Sequence, residues 1–411
     1  MRLPKWLASL GSGLLYAGAA VGVSHLVQST RAGGEYGWDL LWAVVAANIF
    51  KYPFFEFGPR YAIATGQSLL AGYYNLGKWA FGIFALITGG TMFTIQAAVT
   101  LVNAGLLGII IGADLPVDVL AFAIMLVCAF LLISGGYQIL AQTIKWVVIL
   151  LTITTTIALT TAILHFDSSQ IEVVNFNWKR PEDVSFLIAL MGWMPAPIDL
   201  SVWHSGWALA EKEANPRLDM ATVRHDFHVG YWGTTLLGVM FLALGYFTLY
   251  GRGETMPAQS IPFAAKLISL YTRTIGDWSY PVITTAAFTT MFSTSLTVLD
   301  GYARTVVDGI SLISPNIREK RWYLAIVMVT VLGAQGILSF TSGNMKSLVE
   351  FATIVSFVTA PILAGLNFWV MNREPVPPAL RSPLWEWIIA GAGGIFLLVF
   401  TLIYLNQTLI S

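Results

Sequence analysis

The chain consists mainly of long, continuous runs of apolar residues that are separated by short polar or glycine- and proline-containing connections. The runs are close to the roughly 20 residues that an α-helix needs to cross a bilayer. Apolar and polar residues do not alternate within them, which favours helices over the strands of a barrel. We predict eleven spans, near residues 13–30, 39–57, 80–108, 118–134, 144–164, 184–210, 229–250, 281–302, 322–340, 347–370 and 385–407.

The composition indicates that lipid solvates much of the protein surface. Of the 411 residues, 56% are hydrophobic and only 11% are charged, whereas roughly 25% are charged in a typical soluble domain. The formal net charge is zero, so nothing indicates a nucleic-acid partner or a polybasic lipid-binding surface. The single cysteine, Cys128, lies in an apolar run, and we expect it only to pack there. No stretch resembles a soluble domain, so we predict one membrane domain over residues 1–411.

The lysine and arginine residues between the spans set the expected orientation, because cytoplasmic loops carry an excess of positive charge. With a cytoplasmic N-terminus, the inner loops hold about twice as many of these residues as the outer loops. An odd number of spans then places the C-terminus outside. Residues 1–12 include Arg2 and Lys5 but no small-residue cleavage site, so we expect no removable signal peptide. We therefore predict an integral protein of a bacterial inner membrane.

Two predicted spans are interrupted by residues that a continuous membrane helix avoids. The first span contains Gly22, Ser24 and His25, and the sixth contains Pro195 and Pro197. Two prolines so close together remove two amide donors and clash with the preceding turn, so the sixth helix must open there. Unwound backbone persists at membrane depth only where it is buried or lines a cavity. Because the two breaks occupy corresponding places in two five-helix halves, they predict the substrate site.

Three side chains beside these breaks could take part in binding, and each has a second explanation. His25 could bind a cation, transfer a proton or donate a hydrogen bond to a backbone carbonyl. Asp199 follows the second proline, so its carboxylate could face the cargo or cap the next helix. Met194 could offer a thioether to a soft metal or fill space in the core.

Other polar residues within the spans are candidates for a transport pathway. Gln96 and Asn103 share one face of the third span, where they could line a pathway or bond to a neighbouring helix. His204 lies five residues after Asp199, roughly 140° around the helix, so the two side chains do not share a face. We expect His204 to be a buried structural histidine.

Charged residues near the helix ends have a structural interpretation. Glu56 and Arg60, and likewise Asp300 and Arg304, are four residues apart and predict ion pairs. Lys51 lies deeper in the second span, where we expect it to reach the interface with its ammonium group or to form a buried pair.

The remaining motifs argue against an enzyme. Residues 225–228 contain two histidines three positions apart, which we assign to a solvated connection rather than a metal site. The chain has no Walker loop, dinucleotide fingerprint, HExxH motif or nucleophile elbow. We therefore predict no enzymatic activity, no ATP-driven transport and no cofactor.

Several motifs resemble one family of metal-ion transporters. The stretch Ala32-Gly33-Gly34-Glu35-Tyr36-Gly37, followed by Leu40-Leu41-Trp42, resembles the first-span region of the natural resistance-associated macrophage protein (Nramp) family. The segment Arg60–Leu69 is similar to that family's Arg-Leu-Gly-Ile-Val-Thr-Gly-x-x-Leu motif, and the sixth span ends in His204-Ser205 as the family's often does. The resemblance implies a LeuT-like fold with inverted repeats over about 13–164 and 184–370, plus an added helix over 385–407.

The first and third spans depart from the family pattern. Family members carry Asp-Pro-Gly-Asn in the first span, where the aspartate and asparagine bind the metal. A gapless match places Gly22 at the aspartate and His25 at the asparagine, with Val23 and Ser24 between them. Proton-coupled members carry acidic residues in the third span, where Phe93 and Gln96 stand here.

The sixth span allows two matches, and both alter the site. The family's Met-Pro-His matches Met194-Pro195-Ala196, which keeps the methionine and loses the histidine. A match anchored on the His-Ser pair instead places Pro197 at the methionine and Asp199 at the histidine. The resemblance implies a substrate site formed by these residues together with Gly22, Ser24 and His25.

These departures change the function that we expect. Loss of the ligand carboxylate removes the anionic group that holds a dehydrated divalent ion, and Gln96 cannot carry a proton. Divergent family members that transport magnesium show similar losses. We therefore predict a carrier that moves a divalent cation, hydrated Mg²⁺ or Mn²⁺, by alternating access with weak or absent proton coupling. Tentative metal contacts are His25, Asp199 and Met194.

Two other functions fit the same pattern. A carrier of a small organic or anionic solute could bind a carboxylate at the half-helix N-termini and pack its body on Trp193, Trp203 and Trp207. A sensor or assembly subunit would bind but not transport. In each case the expected partners are the cargo and membrane lipid, and we expect a monomer.

Overall fold

A computed structural model describes residues 11–112, 115–135, 137–166, 173–341 and 343–410, so Arg2 and Lys5 lie outside the described residues. The described residues form helices and connections, with one isolated β-bridge between Gln259 and Asn344. The α-helices are α1 Ser12–Ala20, α2 Thr30–Tyr36, α3 Leu41–Thr65, α4 Leu69–Leu76, α5 Lys78–Ile111, α6 Val117–Ile133, α7 Tyr137–Leu164, α8 Pro181–Gly192, α9 Leu200–Ala214, α10 Met220–Leu249, α11 Ser260–Ile275, α12 Tyr280–Ile313, α13 Glu319–Thr341, α14 Met345–Met371 and α15 Leu384–Ile410.

Local capping explains where several helices begin and end. The Asp219 carboxylate accepts a hydrogen bond from the amide of Thr222 at the start of α10, at 2.8 Å. Ser68 accepts one from the amide of Ala71 at the start of α4. Gly66 ends α3 in the left-handed conformation, with φ of 69°, which an amino acid without a Cβ adopts at little cost. These contacts satisfy amide and carbonyl groups that the helices leave unpaired at their ends.

Both interrupted spans open at the predicted places. In the first, α1 ends at Ala20, and a π-helical segment, Ser24–Ser29, leads into α2. This span therefore continues to Tyr36, past its predicted end near residue 30. In the sixth, α8 ends at Gly192 and α9 begins at Leu200, so residues 193–199 are not helical.

The helices pack as two groups that meet at these breaks. One group contains α1, α2, α3, α8, α9 and α10, each of which contacts at least one other member. The other contains α5, α6, α12 and α13. The helix α12 contacts α1 and α9 across the boundary, and α14 contacts both α8 and α5. The two breaks therefore face the second group, mainly α5 and α12.

The number of membrane spans stays a prediction. Among the described residues, six helices are long and apolar enough to cross a bilayer: Lys78–Ile111, Met220–Leu249, Asp277–Ile313, Glu319–Thr341, Met345–Met371 and Leu384–Thr408. Val117–Ile133 and Val148–Leu164 are shorter apolar helices. The two interrupted spans and α3, which carries Lys51, Glu56 and Arg60, complete the predicted eleven.

Some stretches that the sequence assigned to connections between spans are helical in the structure. Residues 225–228 are not a solvated connection but belong to α10, where Asp226 and Phe227 are buried. Two short helices, α4 and α11, lie in stretches that the sequence assigned to connections. The Ser260 hydroxyl at the start of α11 donates to the Leu101 carbonyl of α5, at 2.5 Å, which fixes this helix to the second group.

Glycines allow α2 and α10 to approach each other backbone to backbone. A Cβ on Gly245 would lie 2.1 Å from the Thr30 carbonyl oxygen, and a Cβ on Gly33 would lie 1.8 Å from the Leu242 carbonyl oxygen. Both distances are far below van der Waals contact. The absence of side chains at these two positions therefore sets the spacing of the two helices.

We predict that Gly245→Ala destabilises the protein, whereas Gly365→Ala does not, because no atom lies within 4 Å of a Cβ at Gly365. Overpacking of this kind costs about 1–3 kcal/mol. The melting temperatures of the purified variants, with size-exclusion chromatography as the readout of unfolding, measure this difference in stability. Equal melting temperatures for the two variants would contradict the proposed helix contact.

Candidate substrate site between the interrupted helices

A small cavity lies between the two breaks. Its volume of about 20 Å³ is enough for roughly one water molecule. The cavity is lined by residues of α1, the π-helical segment, the sixth-span break, α5, α9 and α12: Ala19, Ala20, Val23, Ser24, Ile95, Val99, Trp193, Pro195, Ala196, Pro197, Leu200, Trp203, Thr294 and Val298. Of the sequence-predicted site residues, Ser24, Ala196 and Pro197 line it. Its lining carries no ionisable side chain.

The first break is held in place by α12. The Thr294 hydroxyl of α12 lies 3.1 Å from the carbonyl oxygens of both Gly18 and Val21, and also 3.1 Å from the Thr290 carbonyl oxygen of its own helix. A Cβ on Gly22 would lie 2.9 Å from the Thr294 side chain, so this glycine permits the close approach. Gly22 thus shapes the break and has no side-chain ligand to offer.

The second hydroxyl of the site belongs to Ser24. Its oxygen lies 2.7 Å from His25 Nδ1, 3.0 Å from the Ala20 carbonyl oxygen and 3.3 Å from the Pro195 carbonyl oxygen. A hydroxyl has a single proton to donate. One proton cannot satisfy all three acceptors, so at least one of the two carbonyl oxygens has no full hydrogen bond from Ser24.

His25 is fully buried behind the cavity lining, and both of its ring nitrogens have partners. Nε2 lies 2.9 Å from the Thr234 carbonyl oxygen, which can only accept, so this nitrogen carries a proton. In the neutral ring, Nδ1 then accepts from Ser24. This arrangement joins the first-span break to α10 and leaves neither nitrogen facing the cavity.

Met194 lies beside His25 rather than in the cavity. A Cβ on Gly238 of α10 would lie 3.2 Å from Met194 Sδ and 3.6 Å from His25 Cδ2, so both side chains pack against this glycine. Met194 is fully buried. The structure therefore brings these two predicted metal contacts together, but against α10 and away from the cavity lining.

Asp199 lies on the other side of the sixth-span break. Its carboxylate accepts a hydrogen bond from the Tyr302 hydroxyl of α12, at 3.1 Å. The side chain does not cap α9, although Asp199 immediately precedes that helix. The second carboxylate oxygen has no hydrogen-bond partner among the described residues. Asp199 therefore links the two helix groups, and it does not line the cavity.

Lys51 reaches the same break from α3. Its fully buried ammonium group donates to the carbonyl oxygens of Met191 and Gly192, at 2.6 and 2.9 Å, at the end of α8. The sequence predicted that Lys51 could form a buried pair, and its partners are the unpaired carbonyl groups at the end of α8. A lysine in the middle of a predicted membrane span is unusual, and this feature of the sequence could have indicated that Lys51 lies near the site.

The two predicted pathway residues lie next to the cavity but face other helices. Gln96 donates to Thr100 Oγ1 at 3.0 Å and to the Ser295 carbonyl oxygen at 3.2 Å, so it joins α5 to α12. His204 packs on the rings of Tyr16 and Phe227, with centroids 5.5 and 5.8 Å away. Neither nitrogen of His204 has a hydrogen-bond partner among the described residues.

Trp203 separates the cavity from a larger, open cleft. Its side chain lines both the cavity and a cleft of about 440 Å³ between α4, α9, α12 and α13. The ring packs edge-on against Tyr302, at 4.7 Å between centroids, and a Cβ on Gly301 would lie 2.6 Å from it. The sequence pattern named Trp203 only as a packing surface for an organic cargo, and it did not indicate Thr294 as a site residue.

The fold and the site define a class: a helical membrane protein with two interrupted helices that face each other across a small central cavity. A model of the family described as natural resistance-associated macrophage protein-like matches residues 13–407. The chain therefore belongs to the Nramp family and is an integral membrane protein, as the sequence motifs indicated.

Two relatives in sequence differ in how much of the chain they cover. An uncharacterized protein of Pasteurella multocida is 36% identical over 406 residues, which cover 97% of this chain and 92% of that protein. A divalent metal cation transporter, MntH, of Chromohalobacter salexigens is 36% identical over 65 residues, which are 16% of this chain and 15% of that protein.

Solved structures share the fold at low sequence identity. A manganese transporter of Eremococcus coleocola superposes with a TM-score of 0.69 and 13% identity, and the match covers 99% of this chain and 89% of that one. The protein MhsT, solved in complex with L-phenylalanine, superposes with a TM-score of 0.63 and 13% identity, over 96% and 97% of the two chains. The fold is therefore LeuT-like.

We predict that Trp203→Ala joins the cavity to the open cleft, because the indole is the side chain that the two share. In a Cys128→Ala background, a cysteine placed at Ala196 reports on the cavity. Its rate of modification by a water-soluble thiol reagent should rise at least about tenfold with the Trp203 substitution.

Trp207→Ala is the matched control, because Trp207 lines the cleft but not the cavity. It enlarges the cleft and should leave the modification rate of the cysteine unchanged. Equal acceleration by both substitutions would show that Trp203 is not the partition.

Proposed function

We propose that this protein is a secondary transporter that moves a divalent cation across the membrane by alternating access. The observation that carries the proposal is an excess of oxygen acceptors over protons at the facing breaks. The hydroxyls of Ser24 and Thr294 have one proton each, yet they face the carbonyl oxygens of Ala20, Pro195, Gly18 and Val21. Such a set of hard oxygens suits Mg²⁺ or Mn²⁺ more than it suits an anion.

The cation that this site would carry keeps much of its water. Among the described residues, no three His, Cys, Asp or Glu side chains come together as a metal-binding group. Neutral carbonyl and hydroxyl oxygens replace a hydration shell less well than carboxylates do, and Mg²⁺ dehydrates reluctantly. A hydrated ion needs more room than one water molecule, so the cavity must widen during transport. His25, Met194 and Asp199 then act by shaping the breaks.

The same reasoning supports weak or absent proton coupling. Gln96 cannot ionise, and Phe93 packs against Gly333 of α13, where a Cβ would lie 2.3 Å from its ring. No titratable group lines the cavity. We further propose that the fold consists of inverted repeats over 13–164 and 184–370 and an added helix over 385–407. We also propose that the protein is a monomer in a bacterial inner membrane with a cytoplasmic N-terminus.

On the proposed outer side, an ion pair closes the site. Arg31 of α2 is almost fully buried and donates to Glu350 of α14 at 2.9 Å. It also pairs with Glu35 at 3.0 Å and lies over the ring of Phe186, 4.6 Å from its centroid. Opening toward the outside requires α2 to separate from α14, and this contact resists that motion.

On the proposed inner side, two carboxylates hold the start of α1. Asp226 accepts from the amides of Gly11 and Gly13, at 3.0 and 2.7 Å, and Glu211 accepts from the amide of Ser12 at 2.8 Å. Anionic groups at a helix N-terminus are stabilised by its unpaired amides and dipole. Because both ends of the first span are held, we propose that this conformation corresponds to an occluded state of the transport cycle.

A second candidate function follows from the apolar part of the cavity lining. Trp193, Trp203, Val99 and Val298 would pack well on an organic body, and MhsT was solved with L-phenylalanine. A small organic solute is therefore the alternative cargo. Competition of unlabelled amino and organic acids with divalent-ion uptake separates the two proposals.

Flux into proteoliposomes that contain a magnesium-sensitive dye tests the first proposal. Wild-type protein should admit Mg²⁺ with little effect of a pH gradient. Thr294→Val removes a site oxygen with little change in volume, and we expect it to lower uptake at least about fivefold. Thr285→Val, on an exposed face of the same helix, should have no effect. Well-folded wild-type protein that moves neither Mg²⁺ nor Mn²⁺ would exclude a divalent-cation carrier.

Charge removal at the two ends of the first span should shift the transporter in opposite directions. We predict that Glu350→Gln increases and Asp226→Asn decreases the modification of a cavity cysteine at Ala196 by a reagent added from outside. The reagent added to inside-out vesicles should show the reverse order. Glu182→Gln, on an exposed helix start, is the control. Shifts in the same direction for both variants would contradict the assignment of opposite gates.

A further inference from the structure

The amine of Lys51 is buried between α3 and the end of α8, within the first helix group. It has no solvent exposure, although it belongs to a residue type that is almost never fully buried without a partner. Two of its three protons point at the Met191 and Gly192 carbonyl oxygens. Its nitrogen also lies 6.0 Å from the centroid of the Phe357 ring. These partners are the kind that stabilise a charged amine in a low-dielectric interior.

The amine of Lys51 binds the two residues that lead into the sixth-span break. Met191 and Gly192 immediately precede Trp193, which lines the cavity. Asp199 lies at the other end of the same break, where its carboxylate accepts from the Tyr302 hydroxyl. An ionised Lys51 therefore places a positive charge against the carbonyl end of α8, and an ionised Asp199 places a negative charge at the other end of the break.

We propose that Lys51 is an internal cation that determines which cargo charge the site accepts. This inference rests on the proposed transport of divalent cations and deepens it. By balancing Asp199, Lys51 keeps the break without net charge, and it repels a dicationic cargo that approaches the carbonyl oxygens. The site then binds a divalent ion weakly and with its water, which allows release on the far side.

A purely structural role makes a different prediction. A cation at the C-terminal end of a helix stabilises its unpaired carbonyl groups, and Lys51 does this for α8. If that were its only role, removal of the charge would lower stability but leave the affinity for cations unchanged or weaker. A charge-setting role predicts tighter cation binding when the lysine is neutralised.

The experiment measures equilibrium binding of radioactive Mn²⁺ to purified full-length protein, with Mg²⁺ as competitor. Lys51→Gln keeps a hydrogen-bond donor for the α8 carbonyls and removes the charge, and Lys51→Met removes both. Either variant should bind Mn²⁺ at least about tenfold more tightly, because removal of one nearby charge acts on both charges of the ion. Lys51→Arg should bind like wild type.

Two further variants complete the test. Asp199→Asn, which leaves Lys51 unbalanced, should weaken binding, and the double variant Lys51→Gln/Asp199→Asn should return close to the wild-type affinity. Lys78→Met, at an exposed position, is the control for loss of a lysine elsewhere. If the folded Lys51 variants bind Mn²⁺ no more tightly than wild type, Lys51 does not set the charge of the site.

The binding measurement also separates this inference from the proposed function. Wild-type protein that neither binds nor transports a divalent cation would contradict the proposed function. In that case, a gain of Mn²⁺ binding in the Lys51 variants would still support the charge-setting role, and its absence would overturn it.

Discussion

Backbone amide and carbonyl groups inside a membrane protein must find partners within the protein, because lipid offers none. The two interrupted spans create such groups at the centre of this molecule, and side chains from elsewhere satisfy them. Thr294 reaches the first break from α12, Ser24 lies between the two breaks, and Lys51 reaches the end of α8 from α3. The positions of three helices around the site therefore depend on the same few hydrogen bonds.

These hydrogen bonds also connect structure to transport. A typical hydrogen bond contributes only about 1 kcal/mol net, so the bonds between these hydroxyls and the oxygens of the breaks can be exchanged at small cost. The contacts of Thr294 with Gly18 of α1 and of Tyr302 with Asp199 cross the boundary between the two helix groups. A cargo that replaces them would loosen this boundary, which is the motion that alternating access needs.

Much of the fold and the location of the candidate site could be predicted from the chain alone. Long apolar runs require helices in lipid, and the residues around Gly22 and Pro195 forced breaks that the structure places opposite each other. The motif around Gly33 and Gly34 indicated the family, which the match over residues 13–407 confirms. The eleven-span count, the repeats and the site residues stay predictions.

The tertiary structure alone decided which side chains face the cavity. Helical periodicity assigns a face only while the helix is regular, and the π-helical segment and residues 193–199 change that register. His25 and Met194 consequently turn toward Gly238, while Trp203 rather than His204 borders the cavity. The sequence thus determined that a membrane helix pair must open, because prolines and glycines act locally. Only packing between residues far apart in the chain determined what fills the opening.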